Sequence, residues 1–423
     1  MKTHYDALVV GAGVAGATAA ILLARTGWSV AVLEKREFPR RKVCGECIAA
    51  TNLDLLDALG VGETCAALAG PPLDRVALYV GEEELSADLP RLDGSRHPWG
   101  RALGREHLDT LLLRRAAVLG ATVLQPWTVR QVARRGGTYL CSAAPSPGTA
   151  VTLDAPVLIA ACGSWEPSPC APPHRQPPPR PSDLFAFKAT FDGVTLAPGL
   201  LPVLAFPGGY GGMVIADHGK LTLACCIRRD RLRQCRAARP GASAGAAVQA
   251  LLEERCRGVR RALAGARREG AWLAVGPLRP GLRAPWHEHS GFAVGNAAGE
   301  AHPILGEGIS MALQSAWLLC GRLNEHRDRL LRGADLAPVG RDYARQWRRH
   351  FAGRVRWAAV LAHLAMRPAA ARGLLPILRR RPDMLTLCAR LGGKVRSLAD
   401  PPALAALRPH PGPAGSPPPR VLR

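Results

Sequence analysis

The sequence is poor in acidic residues: 33 aspartates and glutamates stand against 56 lysines and arginines, a formal net charge of +23. An excess of that sign ordinarily points to nucleic acid or an anionic membrane. Here the arginines are spread along the whole chain instead of gathering in a stripe, and no recognition module accompanies them. The excess therefore reads as a compositional habit, and no nucleic-acid partner is expected. Disulfide spacing is also missing. The 12 cysteines follow no framework of a small secreted domain, which points to a reducing cytoplasm. An unbroken apolar run at the N-terminus is missing too. Ala7 to Leu23 could imitate a signal peptide, but Asp6 precedes it and three glycines interrupt it at fixed spacing. It reads instead as a buried strand and helix.

What is present begins with a core. With 423 residues, 48% of them hydrophobic, the chain has room for two domains at roughly 100 to 200 residues each. The stretch DALVVGAGVAGATAAILLARTGWSVAVLEK reads as strand (Ala7 to Val10), turn, alanine-rich helix ending near Gly27, and second strand (Ser29 to Leu33). Gly11-x-Gly13-x-x-Gly16 occupies the turn. Gly11 permits the tight bend, Gly13 lets a pyrophosphate approach the backbone, and Gly16 lets helix pack on strand. Free N–H groups at the helix start then face the phosphates. Glu34 ends the second strand, close to the expected distance of about 20 residues, where a carboxylate accepts from a ribose diol and repels a 2′-phosphate. Together these features predict a dinucleotide site.

Far downstream, GFAVGNAAGEAHPILGEGISMALQSAWLLCGRL supplies a strand (Phe292 to Val294), a turn at Gly295-Asn296, and Pro303-x-x-Gly306-x-Gly308 opening a helix from about Ile309. On these segments the sequence resembles the FAD-dependent family that joins aromatic-ring hydroxylases of the p-hydroxybenzoate hydroxylase fold with geranylgeranyl reductases. The likeness spans roughly residues 5 to 325 and is greatest to the geranylgeranyl reductase-like members. It implies FAD as cofactor. Gly306, Gly308 and Ile309 match positions against the flavin pyrimidine edge, where a helix N-terminus favours the anion of reduced flavin. Asn296 stands where the family usually has an aspartate on the ribityl chain; asparagine can still hydrogen-bond a hydroxyl. Arg105, followed by Leu108-Asp109, resembles the family's R-x-x-L/F-D element near the FAD phosphates or ribityl chain. Lys35 and Lys42 complete the cofactor set. Cys162-Gly163 departs from the hydroxylases' aspartate-glycine pair, so the electron donor is either NAD(P)H or an external reductase.

The segment KVCGECI follows Phe38-Pro39-Arg40 and resembles the family pattern that brings a Cys-Gly close to the flavin ring. Cys44 is accordingly the candidate catalytic residue. An inert buried cysteine and a Cys44/Cys47 dithiol or metal pair remain open. A zinc site needs a second ligand pair, which is not evident, so no metal is expected. Cys47 is read as incidental.

The fold expected is α/β: a Rossmann-like FAD-binding domain (1–75, 100–170 and 285–338) with an inserted antiparallel-sheet substrate domain (76–99 and 171–284). A helical C-terminal arm (339–400) and a disordered Pro-rich tail (401–423) follow. The segment FPGGYGG, Phe206 to Gly212, is either a family feature over the active site or a plain hairpin loop. On the arm, arginines alternate with Trp347, Phe351, Trp357, Leu361 and Leu364 at amphipathic spacing, fitting either packing on the body or peripheral attachment to the inner face of a membrane. The expected activity is FAD-dependent oxidation-reduction of an apolar small molecule, prenyl-, polyketide- or phenolic-lipid-like. A reductase is favoured over a monooxygenase, because a thiol beside the flavin is easily oxidised by peroxide. Flavin halogenases share the fold, but their W-x-W-x-I motif is absent. A rival of another class is a basic membrane- or nucleic-acid-binding protein with a vestigial flavin site.

Overall fold

The structure, a computed structural model, describes residues 2–163, 169–170 and 178–398. The expected Pro-rich tail lies outside the described residues.

Two sheets organise the chain. The first has six strands in the order Trp286–His287, Gly291–Ala293, Val157–Ala160, Ala7–Val10, Val30–Leu33, Thr122–Leu124. Every pairing is parallel except the outermost, between Trp286–His287 and Gly291–Ala293. Its central strands are buried at each position, which is why they read as continuous apolar runs and not as alternating ones. The helices Val14–Arg25, Arg105–Val118 and Gly308–Glu325 pack together in the core of this unit. A three-stranded antiparallel sheet, Trp127–Arg135, Thr138–Pro145 and Val151–Ala155, joins the same core. The first helix stops before Gly27, whose φ of +79° no helix accommodates.

The second sheet has seven strands: Arg267–Leu278, Leu184–Asp192, Leu221–Arg228, Gly209–Ile215, Leu200–Phe206, Arg75–Val80 and Glu83–Asp88. One pairing departs from the expected antiparallel pattern. Leu200–Phe206 runs parallel to Arg75–Val80, because the chain leaves this sheet after Asp88, builds part of the other domain, and returns; a crossover of that length permits parallel pairing. The sequence reading also missed three helices, Arg229–Ala237, Ala244–Arg255 and Arg257–Ala262. Their apolar residues, among them Val248, Leu252 and Val259, join Phe187 and Leu223 in the core of this sheet.

The arm is helical, as expected: Ala337–Ala365, Pro368–Arg380 and Asp383–Leu391. Its first helix packs on the body. Tyr343, Trp347 and Phe351 are fully buried in the main core, and the Tyr343 hydroxyl donates to the Ala293 carbonyl at 2.8 Å. For Tyr343, Trp347 and Phe351 the packing alternative holds, whereas Trp357, Leu361 and Leu364 further along the helix are half-buried. No helix among the described residues is long and apolar enough to cross a membrane.

Candidate active site

The glycine turn leaves room only where a ligand would need it. A Cβ on Gly11, at φ +101°, would fall 2.6 Å from the Ala161 carbonyl oxygen, and one on Gly16 would fall 1.9 Å from that of Gly11. Gly13 instead faces open space bounded by Lys42 Nζ and Arg105 Nη2, at 3.5 and 3.6 Å from where its Cβ would be. It begins the Val14–Arg25 helix without a side-chain cap, so that helix start has N–H groups to offer an anion.

Both cations are held from behind. Asp109, fully buried, accepts from Lys42 Nζ at 2.6 Å and from Arg105 Nε and Nη2 at 2.7 and 2.9 Å. Burial alone would raise the Asp109 pKa, but Arg105 and Lys42 hold it below the usual carboxylate range. Two cations share one carboxylate, which leaves positive charge beside the helix start. Arg40 also lines this region, and its Nε is buried without a hydrogen-bond partner. The set suits a diphosphate.

Glu34 is buried at the end of its strand. It accepts from the Ala12 and Arg36 backbone N–H groups, each at 3.0 Å. Its carboxylate therefore braces the glycine turn, while the remaining lone pairs can accept from a diol. Lys35 beside it is pushed to a lowered pKa by burial.

The loop carrying the two cysteines turns on Glu46, which the sequence reading missed. Glu46 has φ +61°, a left-handed conformation costly for a residue with a Cβ. Three contacts hold it there. Its carboxylate pairs with buried Lys188, accepts from Thr222 Oγ1 at 2.5 Å, and accepts from the Arg105 N–H at 3.3 Å. Lys188 and Thr222 belong to the seven-stranded sheet, so the cysteine loop is tied to the other domain. Both thiols are free. The Cys47 Cβ lies 3.4 Å from where a Gly306 Cβ would be, and burial pushes its pKa up to about 11.

Gly306, at φ +63°, and Gly308, which opens the Gly308–Glu325 helix, face the same space. Buried Glu307 between them lies 3.8 Å from Arg354 Nη1 and 3.5 Å from Lys394 Nζ, both contributed by the arm. Asn296 accepts on its backbone oxygen from Arg283 at 2.7 Å, and its amide lies 3.4 Å from Glu300.

A cavity of about 900 Å³ connects these pieces. Gly11, Gly13, Glu34, Lys35, Lys42, Cys44, Arg105, Asn296, Gly306, Gly308 and Ile309 all line it; Gly16 does not, being packed against its own turn. Beyond the cysteines the cavity opens into an apolar chamber of Val203, Met213, Leu361, Leu364, Leu378 and Leu385. One wall carries Tyr210, from the segment FPGGYGG. Its hydroxyl, pushed to a high pKa chiefly by burial, lies 3.0 Å from His302 Nδ1. His302 is itself lowered to about 4 by burial and by His363, whose ring centroid is 5.8 Å away. The segment is thus a hairpin and also part of the cavity wall.

A family model described as an FAD binding domain matches residues 4–329. The chain belongs to this FAD-binding family. The flavoprotein's residues fit the cofactor: an uncapped helix start with three basic side chains for the diphosphate, a carboxylate for the ribose, and a second glycine-flanked helix start at the far end. Among curated relatives, it is 36% identical over 118 residues to the tryptophan 2-halogenase of Chondromyces crocatus, covering 28% of this chain and 22% of that protein. It is 29% identical over 166 residues to squalene epoxidase 4 of Arabidopsis thaliana, 38% and 31% of the two chains. With the menaquinone reductase of Mycobacterium tuberculosis it shares 34% over 119 residues, 28% of each. The match thus spans less than a third of the length of these relatives. In three dimensions it is similar to the myxobacterial chondrochloren halogenase CndH, with TM-score 0.72, 19% identity, and 95% and 92% of the two chains covered. PqsL of Pseudomonas aeruginosa, solved with 2-aminobenzoylacetate, gives TM-score 0.67 at 18% identity, covering 88% and 100%. At those identities the likeness concerns the fold. The flavoprotein is an FAD-dependent enzyme; special closeness to geranylgeranyl reductases does not emerge.

Proposed function

We propose that this flavoprotein is an FAD-dependent monooxygenase of an apolar small molecule, prenyl-, polyketide- or phenolic-lipid-like. The observation that carries the reading is the single cavity joining a basic, glycine-lined cradle to an apolar chamber. FAD, when bound, would supply the two-electron redox chemistry that oxygen activation needs. The chain's own residues do the rest. Arg105, Lys42 and Arg40 neutralise the diphosphate, Glu34 accepts from the adenosine ribose, and Asn296 offers an amide to the ribityl hydroxyls. The helix start at Gly308 and Ile309 favours negative charge on the reduced ring. Apolar walls exclude water from the reacting centre, and Tyr210, whose hydroxyl is bonded to His302, forms part of the wall.

The expectation of a reductase rested on the Cys44 thiol beside the flavin being easily oxidised by peroxide. Monooxygenase and halogenase relatives support the oxygen-using alternative at least as well. Saturation of a carbon–carbon double bond is the second reading, favoured by the thiol of Cys44 lining the cavity. The donor of electrons is proposed to be a separate reductase, since Cys162-Gly163 stands in place of the hydroxylases' aspartate-glycine pair.

Reduced enzyme mixed with ¹⁸O₂ and a panel of apolar phenols, polyketides and polyprenyl compounds tests the reading. Label incorporated into product supports monooxygenation. Anaerobic double-bond saturation without label, lost in Cys44→Ser while FAD stays bound, would establish the reductase instead.

A further inference from the structure

Five of the eight most exposed large apolar side chains among the described residues, Leu374, Ile377, Met384, Leu387 and Leu391, lie on just two helices. These are Pro368–Arg380 and Asp383–Leu391, with Ile377, Leu387 and Leu391 exposed to 50, 52 and 53%. Exposed apolar residues clustered in this way mark an interaction surface. The opposite faces of the same helices carry Leu378, Leu385 and Ala389 into the cavity, while Leu374, Ile377 and Met384 are exposed and line it as well. The two helices are therefore a single layer between the apolar chamber and the outside.

The segment that carries this layer is strongly basic, although Arg379 is paired with Glu83 of the neighbouring strand and Lys394 with Glu307. Residues 367–396 contain eight arginines and lysines against one acidic residue, Asp383, which is already paired with Arg381 at 3.0 Å. Helices with an apolar face and an arginine-rich flank lie in the headgroup region of a bilayer, with apolar side chains inserted and the basic ones at the anionic surface. No described helix can span a bilayer, so the contact is peripheral.

We infer that the helices Pro368–Arg380 and Asp383–Leu391 dock on an anionic phospholipid surface and form the portal through which an apolar substrate passes from the bilayer into the cavity. The portal rests on the proposed apolar substrate; the docking rests on the exposed side chains and the charge. The surface differs from the Tyr343–Leu364 stretch singled out in the sequence, whose aromatic residues are largely inside the protein.

Full-length, FAD-loaded protein is sedimented with vesicles of phosphatidylcholine alone and of phosphatidylcholine with phosphatidylglycerol. Binding is expected only with the anionic lipid, and Leu387→Glu with Leu391→Glu, neither of which lines the cavity, lowers it about tenfold or more. FAD content and circular dichroism verify that the variant is folded. Absence of binding, equal binding to both vesicles, or undiminished binding by the folded variant overturns the inference. So does a lipid-free dimer that the same substitutions split, which would make a second copy the occupant. Binding that appears only after removal of residues 399–423 would assign the surface to the chain's own tail. Turnover of apolar substrates in detergent is measured in parallel. Vesicle binding without turnover retires the proposed activity and keeps the docking, whereas turnover without vesicle binding does the reverse.

Discussion

Asp109 grips the guanidinium of Arg105 one helical turn before it through two hydrogen bonds, 2.7 Å to Nε and 2.9 Å to Nη2. A bidentate pair of this kind fixes orientation as well as position. It aims Arg105 at the open side of Gly13, where Lys42, bound to the same carboxylate, joins it.

Asp109→Asn keeps the shape and removes the charge, leaving Lys42 and Arg105 buried without a counter-ion. A stability loss of roughly 3 to 5 kcal/mol is expected. Because a bound diphosphate would restore a negative partner, saturating FAD should recover part of the loss. Urea denaturation with and without FAD measures both; an equal deficit in the two conditions removes the cations from the phosphate site.

Glu34→Gln tests the ribose assignment. A charge-assisted hydrogen bond contributes roughly 1.5 to 3 kcal/mol, so the FAD dissociation constant should rise by about 10- to 100-fold. Glutamine retains a carbonyl oxygen for the Ala12 N–H, which limits damage to the turn. Fluorescence titration of the apoprotein reads the change, and an unaltered affinity in folded protein speaks against any ribose contact.

The Glu46–Lys188 pair should behave as a coupled buried unit. Lys188→Met alone strands the Glu46 carboxylate and should cost roughly 3 to 5 kcal/mol, whereas Lys188→Met with Glu46→Gln should cost less than the sum of the single changes. A double-mutant cycle in urea gives the coupling. Additivity to within about 0.5 kcal/mol would mean the two side chains do not act on one another.

His302 makes stability depend on pH in a defined direction. Its folded pKa is depressed to about 4 by burial and His363, against an unfolded value of about 6.5. The unfolded chain therefore binds more protons between those values, and stability rises with pH across that window. The contribution is present above about pH 6.5 and lost as pH falls through the folded value near 4. Wild type should lose on the order of 2 kcal/mol more than His302→Gln between pH 7.5 and pH 4.5. Parallel losses in the two proteins would sink the assignment.

Local pattern carried the cofactor half of this protein. The run Ala7 to Glu34 encodes strand, glycine turn, helix and strand within one covalent segment. The spacing of Gly11, Gly13 and Gly16 is itself a steric requirement, so the sequence alone determines the cradle and the acidic residue at its end. The helix start at Gly306-x-Gly308 was legible for the same reason. What the tertiary structure decided involves residues remote in sequence. Glu46 meets Lys188 across 142 positions, and no spacing rule relates them; only the seating of one sheet against the other loop brings the charges together. Cys47 gained its place beside Gly306 in the same way. The arm shows the difference most sharply. An amphipathic pattern says that a helix has an apolar face but not what covers it. For Trp347 and Phe351 the cover is the protein core, while for Leu387 and Leu391 no described residue supplies one, because the helices that carry them are spent on closing the cavity from the other side.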